Sequence, residues 1–214
     1  MKPFVIIPAF NEEKTIGKVV KSVLEYVPNV LVADDGSYDN TSLIAQKAGA
    51  EVIQSSKNLG YDGILELGFQ YALNNGATIL ISMDADGQHP PEVIKDMIRL
   101  VQIKDFDIVI GIRKNLPRVS ERIFAFLTNI RFSINDITCG MKCYKASLYK
   151  KYKFKKDFNS IGTYLTLISL KKKYYVEKIN IEIKSREDIS RYGININSEL
   201  KIIYSILRSI PFLL

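Results

Sequence analysis

Continuous apolar runs alternate with helix-period segments through the first half of the chain, and this alternation is the strongest constraint on its fold. The runs lie at Phe4–Ile7, Val30–Ala33, Glu51–Gln54, Thr78–Met83 and Asp107–Ile110, with helical segments expected at about 12–26, 40–49, 59–74 and 91–104 between them. Strands that are apolar on both faces and joined by helices make a mostly parallel sheet covered on both sides. The expected class is therefore α/β, doubly wound, with ligands bound beyond the carboxyl ends of the strands. The second half is less regular. It reads as an amphipathic helix at about 119–132, a helix at 160–171, a strand at 174–184 and a C-terminal segment with Leu200, Ile203, Leu207 and Ile210 on one face.

Polar residues follow each apolar run. Pro8, Phe10 and Glu12 come after the first, Asp34 and Asp35 after the second, Asp84 and Asp86 after the fourth, and Arg113 after the fifth. In a doubly wound sheet all of these reach one edge. Asp84 and Asp86 are separated by one residue, and like charges so close call for a neutralising partner. Their hard oxygens, with the Gln88 amide oxygen, suit Mg²⁺ or Mn²⁺, ions that leave positions open for substrate phosphates. The competing reading of the pair alone is a solvated turn capping the helix at Pro90. The loop does not have EF-hand spacing, because Gly87 is fourth and Lys95 twelfth. There is no phosphate loop of the G-x-x-x-x-G-K-[ST] type and no G-x-G-x-x-G, which argues against nucleotide hydrolysis and hydride transfer.

Charge is divided unevenly. Residues 1–107 hold 9 Lys/Arg against 15 Asp/Glu, a net −6; residues 108–214 hold 21 against 8, a net +13. The second half is suited to an anionic partner such as a phosphate or a membrane surface. The acidic strand ends would repel nucleic acid, so none is expected as a partner. No stretch approaches the roughly 18 apolar residues of a spanning helix, and "MKPFVIIPAFNEE" lacks the pattern of a signal peptide. Cys139 and Cys143 form no disulfide framework and read as reduced thiols.

The motifs "VIIPAFNEEKTI" (5–16), "ADDGSYDNT" (33–41), "MDADGQHPPEVI" (83–94), "GIR" (111–113) and "DITCGMKCY" (136–144) together resemble the family 2 glycosyltransferases of GT-A fold, the nucleotide-diphospho-sugar transferases. The branch they are most similar to holds the dolichol-phosphate mannose synthases and polyprenyl-phosphate glycosyltransferases. The resemblance implies a glycosyltransferase domain over 1–195, with a nucleotide-binding half at 1–113, an acceptor half at 114–195 and an amphipathic tail at 196–214. It implies that Pro8, Phe10 and Glu12 line the base and ribose pocket, where Phe10 replaces the family's usual Tyr. Ala33 and Asp35 would contact the nucleoside. Asp84, Asp86 and Gln88 would hold Mg²⁺ or Mn²⁺ on the donor pyrophosphate, with Arg113 reaching the phosphates. "REDISR" would bring Arg186 and Arg191 to them as well, although it is shorter than the family's basic motif and lacks its Gly.

The implied reaction is inverting, metal-dependent transfer of a sugar from a GDP- or UDP-linked donor to a polyprenyl phosphate, with Asp86 and Arg113 in catalytic roles. A lipid phosphate needs no general base. A sugar-hydroxyl acceptor on a cell-surface glycan, the alternative, does need one, and Asp136 is the candidate, a loop cap being its competing role. His89, the chain's only histidine, reads as structural or supporting. A nucleotidyltransferase is disfavoured because "PAFNEEKTI" has no glycine before Gly17. The protein is expected to sit peripherally on the cytoplasmic face of the membrane, held by its amphipathic segments, by an anchoring partner or by a second copy.

Overall fold

A computed structural model describes residues 1–153, 158, 160–184 and 196–213. In chain order the elements are β1 (Pro3–Ala9), α1 (Ile16–Leu24), β2 (Val30–Asp34), α2 (Thr41–Lys47), β3 (Glu51–Gln54), α3 (Gly60–Asn74), β4 (Ile79–Ser82), α4 (Val93–Ile103), β5 (Ile108–Arg113), α5 (Val119–Phe132), β6 (Lys142–Lys145), α6 (Ala146–Tyr152), α7 (Ile161–Lys171), β7 (Val176–Ile181) and α8 (Ile196–Leu213). The seven strands form one sheet in the order β3-β2-β1-β4-β6-β5-β7. All pairings are parallel except those of β6, which runs antiparallel to both β4 and β5.

The period-two pleat divides each buried strand between two cores. Val5 and Ile7 of β1 join Val30, Val32, Ile79 and Ile81 under α1 and α4. Phe4 and Ile6 face the other way, with Leu31, Leu80, Ile108 and Ile110, under α3 and α7. Helix α1 buries Ile16, Val19, Val20 and Val23, the i, i+3, i+4, i+7 stripe of a helix lying on a sheet. Helix α3 approaches β1 closely because residue 68 is Gly: a Cβ there would lie 2.5 Å from the Ile6 Cγ2.

The five first-half strands and four helices fall where the apolar pattern predicts them. Strand β6 and helix α6 are additions. β6 is four residues long, and its first residue is a buried Lys, so it lacks both the apolar run and the alternation that mark a strand. Its direction positions the site. Ser82, at the carboxyl end of β4, pairs with Lys142, at the amino end of β6. The start of β6 therefore lies on the same edge as the carboxyl ends of its neighbours. The C-terminal segment is α8, packed against α5 and α7. Ser205 and Ser209 are buried on its inner side, with Ile202, Ile206 and Phe212 against the core. Leu200, Ile203, Leu207 and Ile210 face outward.

Candidate active site

One cavity of about 660 Å³ opens along this edge. It is lined by Pro8, Phe10, Glu12, Asp35, Asp84, Asp86, Gln88 and Arg113, eight positions singled out in the sequence.

Each strand end turns sharply into its loop. After β1, Asn11 takes a left-handed conformation (φ 53°), and its side-chain oxygen accepts from Tyr38 N. The two acids after β2 divide their work. Asp34 is fully buried and accepts from Ser37 N, Gln54 Nε2 and the Ser42 hydroxyl, so it ties the loop together. Asp35 reaches the cavity, where its two oxygens accept from Leu59 N at 2.6 Å and Gly60 N at 2.9 Å at the start of α3. Burial holds the Asp35 pKa above the ordinary carboxylate value, against those two main-chain bonds. Phe10 packs edge-on to the exposed ring of Tyr38, with centroids 6.0 Å apart. Ala33 does not line the cavity. Its methyl is buried beneath, facing α3, because the pleat points residue 33 into the core.

After β4 the chain makes a compact turn through Gly87 (φ 76°). Asp84 Oδ1 accepts from the Tyr61 hydroxyl at 2.9 Å. His89 Nδ1 lies 3.2 Å from Asp84 N and 3.7 Å from Asp84 Oδ2. The imidazole is buried, which disfavours its charge, but the Asp84 carboxylate, a Cys139 contact and Asp86 push its pKa up to about 9. His89 thus braces the acid pair from behind. Asp86 Oδ1 accepts from Gln88 N at 3.0 Å. Gln88 exchanges main-chain and side-chain bonds with Lys184 beyond β7, its Nε2 donating to Lys184 O at 3.3 Å. Gly140 carries a signal the sequence reading missed. A Cβ there would stand 2.5 Å from Asp84 Oδ1, so the carboxylate rests directly on the glycine backbone.

The donor set fits a hard divalent cation: two carboxylates one residue apart with an amide oxygen beside them. Among the described residues no three His, Cys, Asp or Glu side chains gather as a complete metal cluster. A cation here would take few protein ligands and keep positions for phosphate oxygens, the usual condition of Mg²⁺ at such sites.

Arg113 is held on several sides. Its Nε donates to Asp136 Oδ2 at 2.7 Å, and its Nη2 donates to Asp136 Oδ1, Thr138 Oγ1 and Glu121 Oε1. Glu121 also accepts from Arg118 Nη1 and Arg118 N, closing a capping box at the start of α5. Asp136 is fully buried, does not line the cavity, and accepts further from Thr138 N and Cys139 N. Burial opposes its charge, yet Arg113 holds its pKa below the usual carboxylate value. Both oxygens are committed and shielded from any acceptor hydroxyl. The geometry makes Asp136 the anchor of Arg113 and the cap of its loop rather than a base. Arg186 and Arg191 lie outside the described residues.

Several cavity residues carried no signal in sequence. Lys142, Tyr61, Asp62 and Glu121 line it, as do Lys201 and Ser205 from α8. They come from four elements and no local pattern joins them. Cys139 and Cys143 are buried free thiols.

A model of glycosyl transferase family 2 matches residues 4–158. The chain is 27% identical over 237 residues to a UDP-N-acetylglucosamine–dolichyl-phosphate N-acetylglucosaminyltransferase of Methanococcus voltae, covering 95% of this chain and 94% of that protein. It is 32% identical over 165 residues to an undecaprenyl-phosphate mannosyltransferase of Micrococcus luteus, covering 68% and 67%. Among solved structures, a glucosyl-3-phosphoglycerate synthase of Mycobacterium tuberculosis, in complex with Mn²⁺, UDP and glucosyl-3-phosphoglycerate, superposes with a TM-score of 0.74 at 16% identity, covering 97% of this chain and 79% of that one. The seven-stranded sheet is that of the GT-A glycosyltransferases. The chain belongs to glycosyl transferase family 2 and is a glycosyltransferase with relatives that transfer sugars to polyprenyl phosphates.

Proposed function

We propose that the protein transfers a sugar, with inversion, from a nucleoside-diphosphate sugar to a polyprenyl phosphate at the cytoplasmic surface of a membrane. The observation that carries this reading is the shared cavity. It holds an acid pair and an arginine at one set of strand ends and is walled at its other side by α5 and α8. The two relatives named for dolichyl and undecaprenyl phosphates support the acceptor class.

In this reading Pro8, Phe10, Glu12 and Asp35 hold the nucleoside. Asp84 and Asp86, with Gln88, hold Mg²⁺ or Mn²⁺; the Mn²⁺ and UDP named in the complex of the structural neighbour support this assignment. When bound, the cation neutralises the negative charge that builds on the departing pyrophosphate. Arg113 shares that role from a position fixed by Asp136, so no rearrangement is required as charge develops. The acceptor attacks the anomeric carbon from the opposite face, which inverts it.

A phosphate acceptor also suits the carboxylates of the acceptor side. Asp62 accepts from Ile161 N at 2.7 Å, and Glu121 is bridged by two arginines. Glu121 is thereby withheld from general-base work, and an ionised phosphate oxygen requires no base.

Helices α5 and α8 complete the picture. They pack together, and both turn apolar residues outward: Val119, Ile123, Phe126 and Ile130 on α5, and Leu200, Ile203, Leu207 and Ile210 on α8. Arg122, Arg131 and Arg208 are exposed on the same helices. Apolar faces flanked by cations suit the interface of an anionic bilayer. No helix among the described residues is long and apolar enough to cross a membrane.

The test is calorimetry of UDP and GDP, with and without Mn²⁺, on the wild type and Asp86→Ala, followed by transfer from the matching sugar nucleotide to a short polyprenyl phosphate. Metal-dependent binding lost in the variant, and a lipid-linked product, are expected. A folded protein that binds neither nucleotide with Mn²⁺ present would sink the donor-site reading. Transfer to a glycan but not to the lipid phosphate would overturn the acceptor.

A further inference from the structure

Among the described residues six carboxylates line the cavity, and five of them are accounted for. Glu12 and Asp35 belong to the nucleoside side, Asp84 and Asp86 to the cation, and Glu121 is bridged by Arg113 and Arg118. The sixth is Asp62, the third residue of α3. Its Oδ1 accepts from Ile161 N, the first N–H of α7, at 2.7 Å. Its Oδ2 has no hydrogen-bond partner among the described residues and is not sealed from the cavity. Burial raises the pKa of the group, while the Ile161 N–H and the ammonium groups of Lys201 and Lys142 act against burial. Holding α7 explains one oxygen only. That helix already has its own cap, Ser160, whose side chain accepts from Thr163 N. A neutral acceptor would bind Ile161 N without the cost of burying a charge.

The start of α3 runs along the proposed donor. Gly60 N donates to Asp35 on the nucleoside side, and the Tyr61 hydroxyl donates to Asp84 Oδ1 in the acid pair. Asp62 comes next and ties α3 to α7. The start of α7 in turn packs tightly on the start of β6: the Lys142 Nζ lies 3.3 Å from the point where a Cβ on Gly162 would stand. Lys142 pairs with Ser82, at the end of the strand that leads to Asp84. Asp62 therefore stands on the wall beyond the acid pair, where α3, α7 and β6 meet. With the nucleoside at Asp35 and the pyrophosphate at the acid pair, the transferred sugar lies against this wall. The hydroxyls of Ser160 and Thr163, on the same wall, are bonded to each other. A carboxylate only accepts, so its partner must bring a proton. An ionised phosphate brings none, whereas a sugar brings several hydroxyls.

We propose that the open oxygen of Asp62 accepts a hydrogen bond from one hydroxyl of the transferred sugar, which makes Asp62 a specificity residue for the donor. The site then selects a sugar whose hydroxyl at that position is free and rejects one that is deoxygenated there, because the carboxylate would be left unpaired. The inference rests on the donor-site reading above and adds the residue that reads the sugar.

Calorimetry with Mn²⁺ present compares UDP with UDP-glucose and UDP-N-acetylglucosamine, and GDP with GDP-mannose. Each monodeoxy form of the tightest-binding sugar nucleotide follows, on the wild type and on Asp62→Asn. The Asn side chain keeps an oxygen for Ile161 N, and so the tie to α7, but puts an N–H₂ donor in place of the open oxygen. In the wild type one monodeoxy form is expected to bind at least about tenfold more weakly than its parent, the order of a hydrogen bond to a charged group. In Asp62→Asn the parent should weaken by a similar factor and the penalty for that deoxy form should vanish. Bare nucleotide affinity and melting temperature should stay close to wild type. If Asp62 only holds α7, the variant keeps the wild-type penalties, and equal penalties in the two proteins overturn the proposal. So does a wild type that binds the bare nucleotide but shows no penalty for any monodeoxy form, a result that needs no variant to fold. Failure of both bare nucleotides to bind would bring down the donor-site reading itself, and this inference with it.

Discussion

Asp84 and Asp136 are both cavity-region aspartates in loops at the same sheet edge, yet their surroundings are opposite. Asp136 is met by a guanidinium on two edges and by main-chain N–H groups, and it is fully buried. Asp84 is met by a phenol and an imidazole, rests on a bare glycine and is partly open to the cavity. An acid that finds its cation inside the fold serves the fold; in the proposed reading Asp84, shared between a phenol and an imidazole and partly open to the cavity, is left to meet a cation that arrives with substrate. The largest expected effect follows. Asp136→Ala leaves Arg113 without its main counter-charge and should lower unfolding free energy by about 3–5 kcal/mol. Asp84→Asn should leave stability within about 1 kcal/mol above about pH 9, where His89 is neutral in both proteins, and abolish Mn²⁺-dependent nucleotide binding at neutral pH. Urea unfolding of both variants measures the contrast, and equal destabilisation would erase it.

His89 sharpens the same comparison through pH. Its pKa is raised from 6.5 to about 9, with burial opposing the change and the Asp84 charge driving it. A raised pKa adds stability that is fully present below about 6.5 and is lost as pH rises through about 9, amounting to about 3 kcal/mol. As the only histidine, it gives a single imidazole signal in NMR. The midpoint should lie near 9 without a cation and fall when Mg²⁺ or Mn²⁺ offsets the carboxylates that raise it; Mg²⁺, being diamagnetic, keeps the signal sharp. A midpoint indifferent to the cation would detach the acid pair from metal binding.

How much was legible in sequence follows from how each part is built. The strand-end side of the cavity is local: an apolar run ends, a turn begins, and Glu12, Asp35 and Asp84 follow within three residues of their strands, while Arg113 is the last residue of β5. A parallel sheet brings such positions together by topology alone. The rest of the cavity is assembled from distant pieces. Lys142 enters through an antiparallel strand too short and too polar to announce itself, Tyr61 and Asp62 come from the first turn of α3, and Lys201 comes from α8. Asp136 was visible as a residue but not as the partner of Arg113, 23 positions away. Gly140 shows the limit most plainly. In sequence it is one glycine among 12; in space its missing side chain is the seat of Asp84. Gly140→Ala should displace that carboxylate by roughly 1 Å, enough to lower turnover about 10²-fold. Its melting temperature should change little. Unchanged turnover would mean that Asp84 need not sit where the glycine allows.

The outward faces of α5 and α8 are the last contrast, and the smallest in expected energy. A helix packed on a sheet ordinarily turns its apolar stripe inward, as α1 does with Ile16, Val19, Val20 and Val23. Helix α8 sets Ile202, Ile206 and Phe212 against the core beside buried Ser205 and Ser209, whose hydroxyls bond back to the carbonyls of Lys201 and Ser205, and also exposes Leu207. On α5, Phe126 and Ile130 are 65% and 70% exposed while Ser120, Glu121 and Thr128 are buried. Such outward apolar exposure costs hydration free energy in water and is offset where the outer medium is apolar. The wild type should therefore bind phosphatidylglycerol vesicles better than phosphatidylcholine vesicles, with affinity that weakens as salt rises. Replacing Phe126 and Leu207 together by Ser should weaken that binding about tenfold, the order expected for two partly inserted side chains. Affinity for bare nucleotide should be untouched, because neither residue lines the cavity. If both vesicle types bind equally weakly and the double variant behaves as wild type, the outward apolar faces do not meet a lipid surface, and the acceptor reaches the cavity without the protein docking on one.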